Sequence, residues 1–186
     1  MASHSAHDIA AEIRKRIPGV PVKKLHKLLY YCQGYHVATF DEPLFDETVS
    51  AWDMGPVVGQ LWWAERQGYV SPGAGTDALA EGELNTIGYV VSRYGRLSGM
   101  DLERLTHSEP PWIDANSLRQ DRGEDSHKIP LNALRAFFSA EDESDDGSEP
   151  PLDPSSVQAL LAGAPARLKD DLQSDTPDSI LARLPA

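Results

Sequence analysis

Cysteine is almost absent from this chain: Cys32 stands alone in 186 residues. A disulfide within the monomer is thereby excluded, and a cysteine-based zinc site has no ligand set. No apolar run approaches the length that spans a bilayer. The opening MASHSAHDIA lacks the basic-then-apolar order of a secretory signal, so a reducing cytoplasm and no membrane contact are expected. Aromatic residues are few, at 8%, beside 40% hydrophobic and 25% charged residues, an ordinary soluble composition. The length suits one domain, or one domain with a tail.

The usual signatures of chemistry are missing as well. The six histidines include no H-E-x-x-H pair. His107-Ser108-Glu109 is the H-x-E fragment of a zinc deaminase, but the P-C-x-x-C segment that completes such a site is lacking. Gly73-Ala74-Gly75 with Ala78 is a degenerate piece of the dinucleotide fingerprint, and it follows Ser71-Pro72 rather than a strand. There is no P-loop and no nucleophile elbow. Neither a metal nor an organic cofactor is expected, and no residue is assigned to catalysis.

Charge is unevenly spread. Residues 141–186 carry 11 acidic and three basic side chains, a net −8; the other 140 residues carry 18 and 14, a net −4. Phosphate neutralisation drives nucleic-acid affinity, so direct nucleic-acid binding is disfavoured. A basic protein partner gains in encounter rate with such a chain.

Against these absences stands one dense stretch, Val22 to Val58. Its first half, VKKLHKLLYYCQGYHVATF, is apolar nearly all round a helix and so is expected at the centre of the domain. Lys23, Lys24 and Lys27 are expected to keep one side of its first turns wet. Gly34 lies inside it, where glycine costs about 1 kcal/mol relative to alanine, and close approach of a β-hairpin around Leu44-Phe45 and Val49–Trp52 is the expected reason. Met54-Gly55-Pro56 then predicts a new helix with Pro56 at its first position, running to about Gln67.

The remaining chain reads mostly as helices. Ser5 with Asp8 forms a capping-box pattern before Ile9, Ile13 and Ile17. SPGAGT at 71–76 is a loop, a helix follows from about Leu79 to Tyr94, and Gly95 is expected as its left-handed cap. Ser98 with Asp101 is a second capping box, flanked by Leu97 and Leu102 as a staple. That helix is expected to stop near His107 because Pro110-Pro111 follows. A short helical turn over Trp112 to Leu118, a polar loop over 121–128 and a helix begun by Pro130 complete the body. Trp52 and Trp62 are expected to be largely buried and Trp63 partly exposed. The fold class is mainly α with a small β-hairpin (α+β), around a central buried helix, with an acidic tail. The domain limits are a body over 1–140, an acidic linker over 141–153 and an extension over 154–186, whose Val157, Leu160 and Leu161 form a small apolar stripe after Asp153-Pro154.

Two blocks carry a family resemblance. KLHKLLYYCQGYH followed by EPLFDETVSAWDMGPVV, and then VSRYGRLSGMDLERLTHSEPPW at 91–112, together resemble the SocA-like antitoxin family, or Panacea domain, over residues 8 to 140. The matching positions are Leu28, Tyr31, Gly34, Trp52, Gly55, Pro56, His107, Glu109 and Trp112, read as structural. The resemblance implies an antitoxin that binds a cognate protein toxin encoded beside it, without turnover. A branch of the family resembles proteolytic adaptors, which implies an ATP-dependent protease as a further partner; a homodimer within the complex is left open. Trp63, Val157, Leu160 and Leu161 are the candidate partner-binding residues. The rival reading is an enzyme that uses His107 and Glu109 as acid and base. The helix-terminus alternative has His107 near the last carbonyls, Glu109 bonded to backbone or an arginine, and Trp112 plugging the core.

Overall fold

One helix, Val22–Phe40 (α2), has fourteen consecutive buried residues, Lys24 to Val37. The helix is apolar on nearly every face, so it requires cover from all sides. A computed structural model describes residues 4–69, 79–144 and 151–162. Among them, the covering elements are Ala6–Arg16 (α1), a three-stranded antiparallel sheet of Val49–Trp52 (β1), Gly55–Val58 (β2) and His127–Lys128 (β3), and further helices. These helices are Gly59–Arg66 (α3), Glu81–Tyr94 (α4), Gly99–His107 (α5), Pro110–Arg122 (α6), Leu131–Ser144 (α7) and Pro154–Ala162 (α8). α2 touches α1, α4, α5, α7 and β2. The architecture is mainly α with a small sheet, as the sequence predicts. No helix among the described residues is long and apolar enough to cross a membrane.

The local start signals act as written. The Ser5 hydroxyl accepts the Asp8 N–H while the Asp8 carboxylate accepts the Ser5 N–H, closing the capping box of α1. Ser98 and Asp101 do the same for α5, and Leu97 and Leu102 are both fully buried. α5 ends at His107 ahead of the two prolines. α8 begins at Pro154, with the Asp153 side chain accepting the Ser156 N–H at 2.8 Å.

Several expectations are corrected. Met54-Gly55-Pro56 does not launch a helix: Gly55 to Val58 form β2, paired so that Trp52 faces Gly55 and Val49 faces Val58. A proline's missing N–H suits an edge strand as well as a helix start, and β2 is an edge in the order β2-β1-β3. Leu44 and Phe45 lie outside the named strands; Phe45 forms only an isolated bridge with His4. The third strand comes from the expected polar loop, where Lys128 and His127 pair with Ser50 and Ala51. α6 runs thirteen residues rather than one short turn. Gly95 stays right-handed at φ −65°, and the left-handed caps are instead Asp41 at φ 59° and Gly123 at φ 63°. α7 continues to Ser144, into the stretch expected as linker. The SPGAGT loop, residues 70–78 as a whole, and residues 163–186 lie outside the described residues.

Gly34 meets α7, not the hairpin. A Cβ placed there would lie within 2.8 Å of three carbons of the Phe138 ring, which itself packs at 4.8 Å from Tyr35 and 5.6 Å from Tyr30. Gly34→Ala is therefore expected to destabilise the fold by overpacking, by about 1–3 kcal/mol or more, read by urea unfolding. The same change in a Phe138→Leu background should cost clearly less; an equal cost in both backgrounds would separate Gly34 from the Phe138 contact.

Candidate functional site

The two signature blocks meet where α2, the hairpin and the α5–α6 corner come together. Each polar side chain that α2 brings there finds a partner on another element. Lys27 is 1% exposed and its Nζ donates to the carbonyls of Met54 and Pro56. Gly55, at φ +97°, sits against it: a Cβ at Gly55 would come 2.7 Å from Lys27 Cε and 3.1 Å from Thr106 Oγ1. Tyr30 and Tyr31 each donate a hydroxyl to Glu109, one to each carboxylate oxygen, at 2.7 Å. Tyr31 also stacks on Tyr94 with ring centres 4.0 Å apart, and the hydroxyls of Tyr35 and Tyr94 lie 2.9 Å apart. Leu28 is fully buried on the same helix.

At the corner itself His107 stacks on Trp112, centres 3.8 Å apart and planes 12° from parallel. Trp112 is buried, and its indole N–H donates to the Trp52 carbonyl at 3.3 Å. Trp112 plugs the core as expected. His107 packs by its ring face on Trp112, and the partners of Glu109 include two tyrosines of α2. Trp52 and Trp62 are half-buried rather than largely buried. Pro56 is buried within β2.

The three lysines correct the expectation of a solvated face. Lys23 pairs with Glu103 on α5. Lys24 is buried and donates to the Gly95 carbonyl at 2.7 Å, at the C-terminal end of α4 where a cation complements the helix dipole. Together with Lys27 they tie the first turns of α2 to three different elements. Lys27 and Tyr30 escaped the sequence reading of the site. The signal was present: a lysine inside a helix apolar on every side is a buried lysine, and a buried lysine needs acceptors.

Burial sets the titration behaviour. It pushes Lys27 down from its ordinary 10.5 to about 7, with Glu103 pulling partly the other way. His26, whose Nδ1 accepts the Val58 N–H at 3.3 Å, is pushed down to about 3 by burial and the neighbouring Lys27 charge, and His107 likewise. Both imidazoles are thus neutral at neutral pH. Burial and the Glu109 charge raise Tyr30 and Tyr31 well above the ordinary tyrosine range. Cys32 is fully buried and its thiol is pushed up by the same desolvation.

The candidate partner-binding residues lie elsewhere. Trp63 is 57% exposed on α3, next to Trp62, whose ring carries the Arg66 guanidinium at 4.8 Å. Tyr69, equally exposed, lies just beyond. Val157 is 2% exposed and seats α8 on α5, Leu161 is partly buried against the core, and Leu160 faces solvent. Among the described residues no group of three or more histidine, cysteine, aspartate or glutamate side chains is placed to hold a metal ion.

A helical domain wrapped on one buried helix, with its signature side chains paired across three elements, defines the class. Residues 25–113 match the family described as "Antitoxin SocA-like, Panacea domain". The match lies inside residues 8–140, the span of the resemblance, and supports an antitoxin-type role. No curated protein and no solved structure matches the chain.

The Lys27 shift has a defined sign. Unfolded, Lys27 keeps its proton to about 10.5; folded, it releases it near 7. Between those values the unfolded chain binds more protons, so this residue makes stability climb with pH, by up to about 1.4 kcal/mol per unit. Urea titrations of the chain and of Lys27→Met are expected to diverge from pH 7.5 to 9, the parent gaining on the variant; parallel curves would contradict the burial. On the acid side, both proteins should lose stability as pH falls from about 6.5 towards 3, where His26 and His107 resist protonation in the fold alone.

Proposed function

We propose that the chain silences a protein toxin by holding it in a direct complex. The observation that supports this reading is the division of its side chains. His107, Glu109, Lys27 and the tyrosines of the signature are engaged in packing the fold, whereas Trp63 and Tyr69 stand 57% exposed on and just after α3. Tryptophan and tyrosine in such positions are the side chains that dominate binding energy at interfaces. Leu160, 56% exposed on α8, is a second contact point, and Val157 contributes by fixing that helix. The acidic stretch between α7 and α8 adds attraction for a basic toxin surface, acting on encounter rate more than on final affinity. The scaffold in this reading runs through α7 to Ser144, and the stretch from 154 onward is the part that varies with the toxin.

The test is co-expression with the adjacent reading frame, followed by purification and calorimetry. A stoichiometric complex is expected, with growth restored in a host lacking ATP-dependent proteases; restoration that needs the protease would favour an adaptor. Trp63→Ala should weaken the complex by tenfold or more with an unchanged melting temperature. Asp145→Asn, Asp146→Asn and Glu149→Gln combined should slow association several-fold at low salt and leave dissociation nearly unchanged. A complex indifferent to both variants would move the interface off these surfaces.

A further inference from the structure

The last turn of α2 and the first turns of α4 enclose an open groove of about 190 Å³. Three aromatic rings wall it. Tyr35 is buried at its base and meets Tyr89 edge-on at 4.9 Å, while Phe40 stands opposite at the end of α2. Phe40 and Tyr89 are 46% and 38% exposed, large apolar rings left in water at one place. Gly82 belongs to the same groove: a Cβ there would approach Phe40 Cζ to 2.9 Å, so glycine leaves room for the tip of the ring against α4. Asn85, exposed on α4, adds a carboxamide to the rim.

The surroundings are acidic. Asp41 and Glu42 follow Phe40 directly, and Glu81 precedes Gly82; all three are exposed. Glu42 and Glu83 act electrostatically on His36, whose ring packs on Phe40 at 4.6 Å. Glu83 is held by His4 and Asp41 by Arg135. Arg93, the cation on the same face of α4, lies over the Tyr94 ring at 5.7 Å. Aromatic faces with carboxylates at the rim favour a cation, and a planar guanidinium stacks on such faces better than an ammonium does.

We propose that this groove seats an arginine side chain presented by the toxin, between Phe40 and Tyr89. The proposal rests on the reading of the chain as a direct binder of a protein partner, and it adds a second anchoring point remote in sequence from Trp63.

Two measurements on the full chain test it. In the first, N-acetyl-arginine methylamide is titrated and followed by NMR, with N-acetyl-norleucine methylamide as control. Shifts at Gly82, Asn85 and Tyr89 with the arginine compound alone are expected, and their loss in Phe40→Leu, which keeps bulk but removes the aromatic face. In the second, affinity for the co-expressed toxin is compared for the parent, Phe40→Leu, Tyr89→Ala and Glu42→Gln. The two aromatic variants should weaken binding about tenfold, with melting temperatures unchanged, and Glu42→Gln should reduce the salt dependence. Toxin binding that is tight in all variants overturns the groove while leaving direct neutralisation intact. Absence of any toxin complex, with the arginine compound still shifting the groove resonances, sinks the direct-binding reading and keeps the site. No shift with the arginine compound overturns the site whatever the toxin does.

Discussion

A helix buried along its whole middle must satisfy each polar side chain it carries from elsewhere in the chain, and in α2 that requirement organises the fold. A buried group without a partner costs about 1–3 kcal/mol, comparable to a sizeable share of a domain's net stability. α2 carries eight such groups, Lys24 on the Gly95 carbonyl being the first, and their partners are spread over the molecule. His26 takes the Val58 N–H, Lys27 the Met54 and Pro56 carbonyls, and Tyr30 and Tyr31 the Glu109 carboxylate. Gln33 holds the backbone of Leu44 and Phe45, donating to one carbonyl and accepting two N–H groups. Tyr35 reaches Tyr94, and His36 reaches Thr86. The hairpin, the loop before it, α4 and the α5–α6 corner are each placed by a side chain of one helix.

In this arrangement several residues of the signature pack against α2 or against side chains beside it. Gly55 and Pro56 sit where Lys27 needs two carbonyls in reach, Glu109 where two hydroxyls converge, and Trp112 where His107 needs a flat surface. Removing the Glu109 carboxylate leaves two buried hydroxyls of α2 without their acceptor, and a Cβ at Gly55 would press on Lys27.

Much of the fold was readable from local chemistry. The two capping boxes, the proline stop after α5 and the aspartate before α8 depend only on residues a few positions apart. The central position of α2 followed from its apolar circumference. What was not readable depended on distant partners. Met54-Gly55-Pro56 satisfies the rules for a helix start and for an edge strand alike, and only the pairing with β1 decides. His127 and Lys128 become a strand because β1 offers an edge. Gly34 required knowing that Phe138, more than a hundred positions away, arrives against it. The lysines were misjudged for the opposite reason: their charge was weighed apart from the apolar helix that carries them. For the partner surface, Trp63 was visible as a residue type, whereas the groove between α2 and α4 exists only once both helices are in place.

The seating of α8 gives the C-terminal part of the chain two lengths. The helix has nine residues, with Val157 its buried member, and nine residues do not sustain a helix in water by themselves. Docking and helicity are therefore one event. Seated, the segment covers about 14 Å at 1.5 Å per residue; released, it can extend to about 30 Å. Which of the two lengths the segment takes is thus set by whether Val157, with Leu152 and Leu161 packed on the core beside it, keeps its seat.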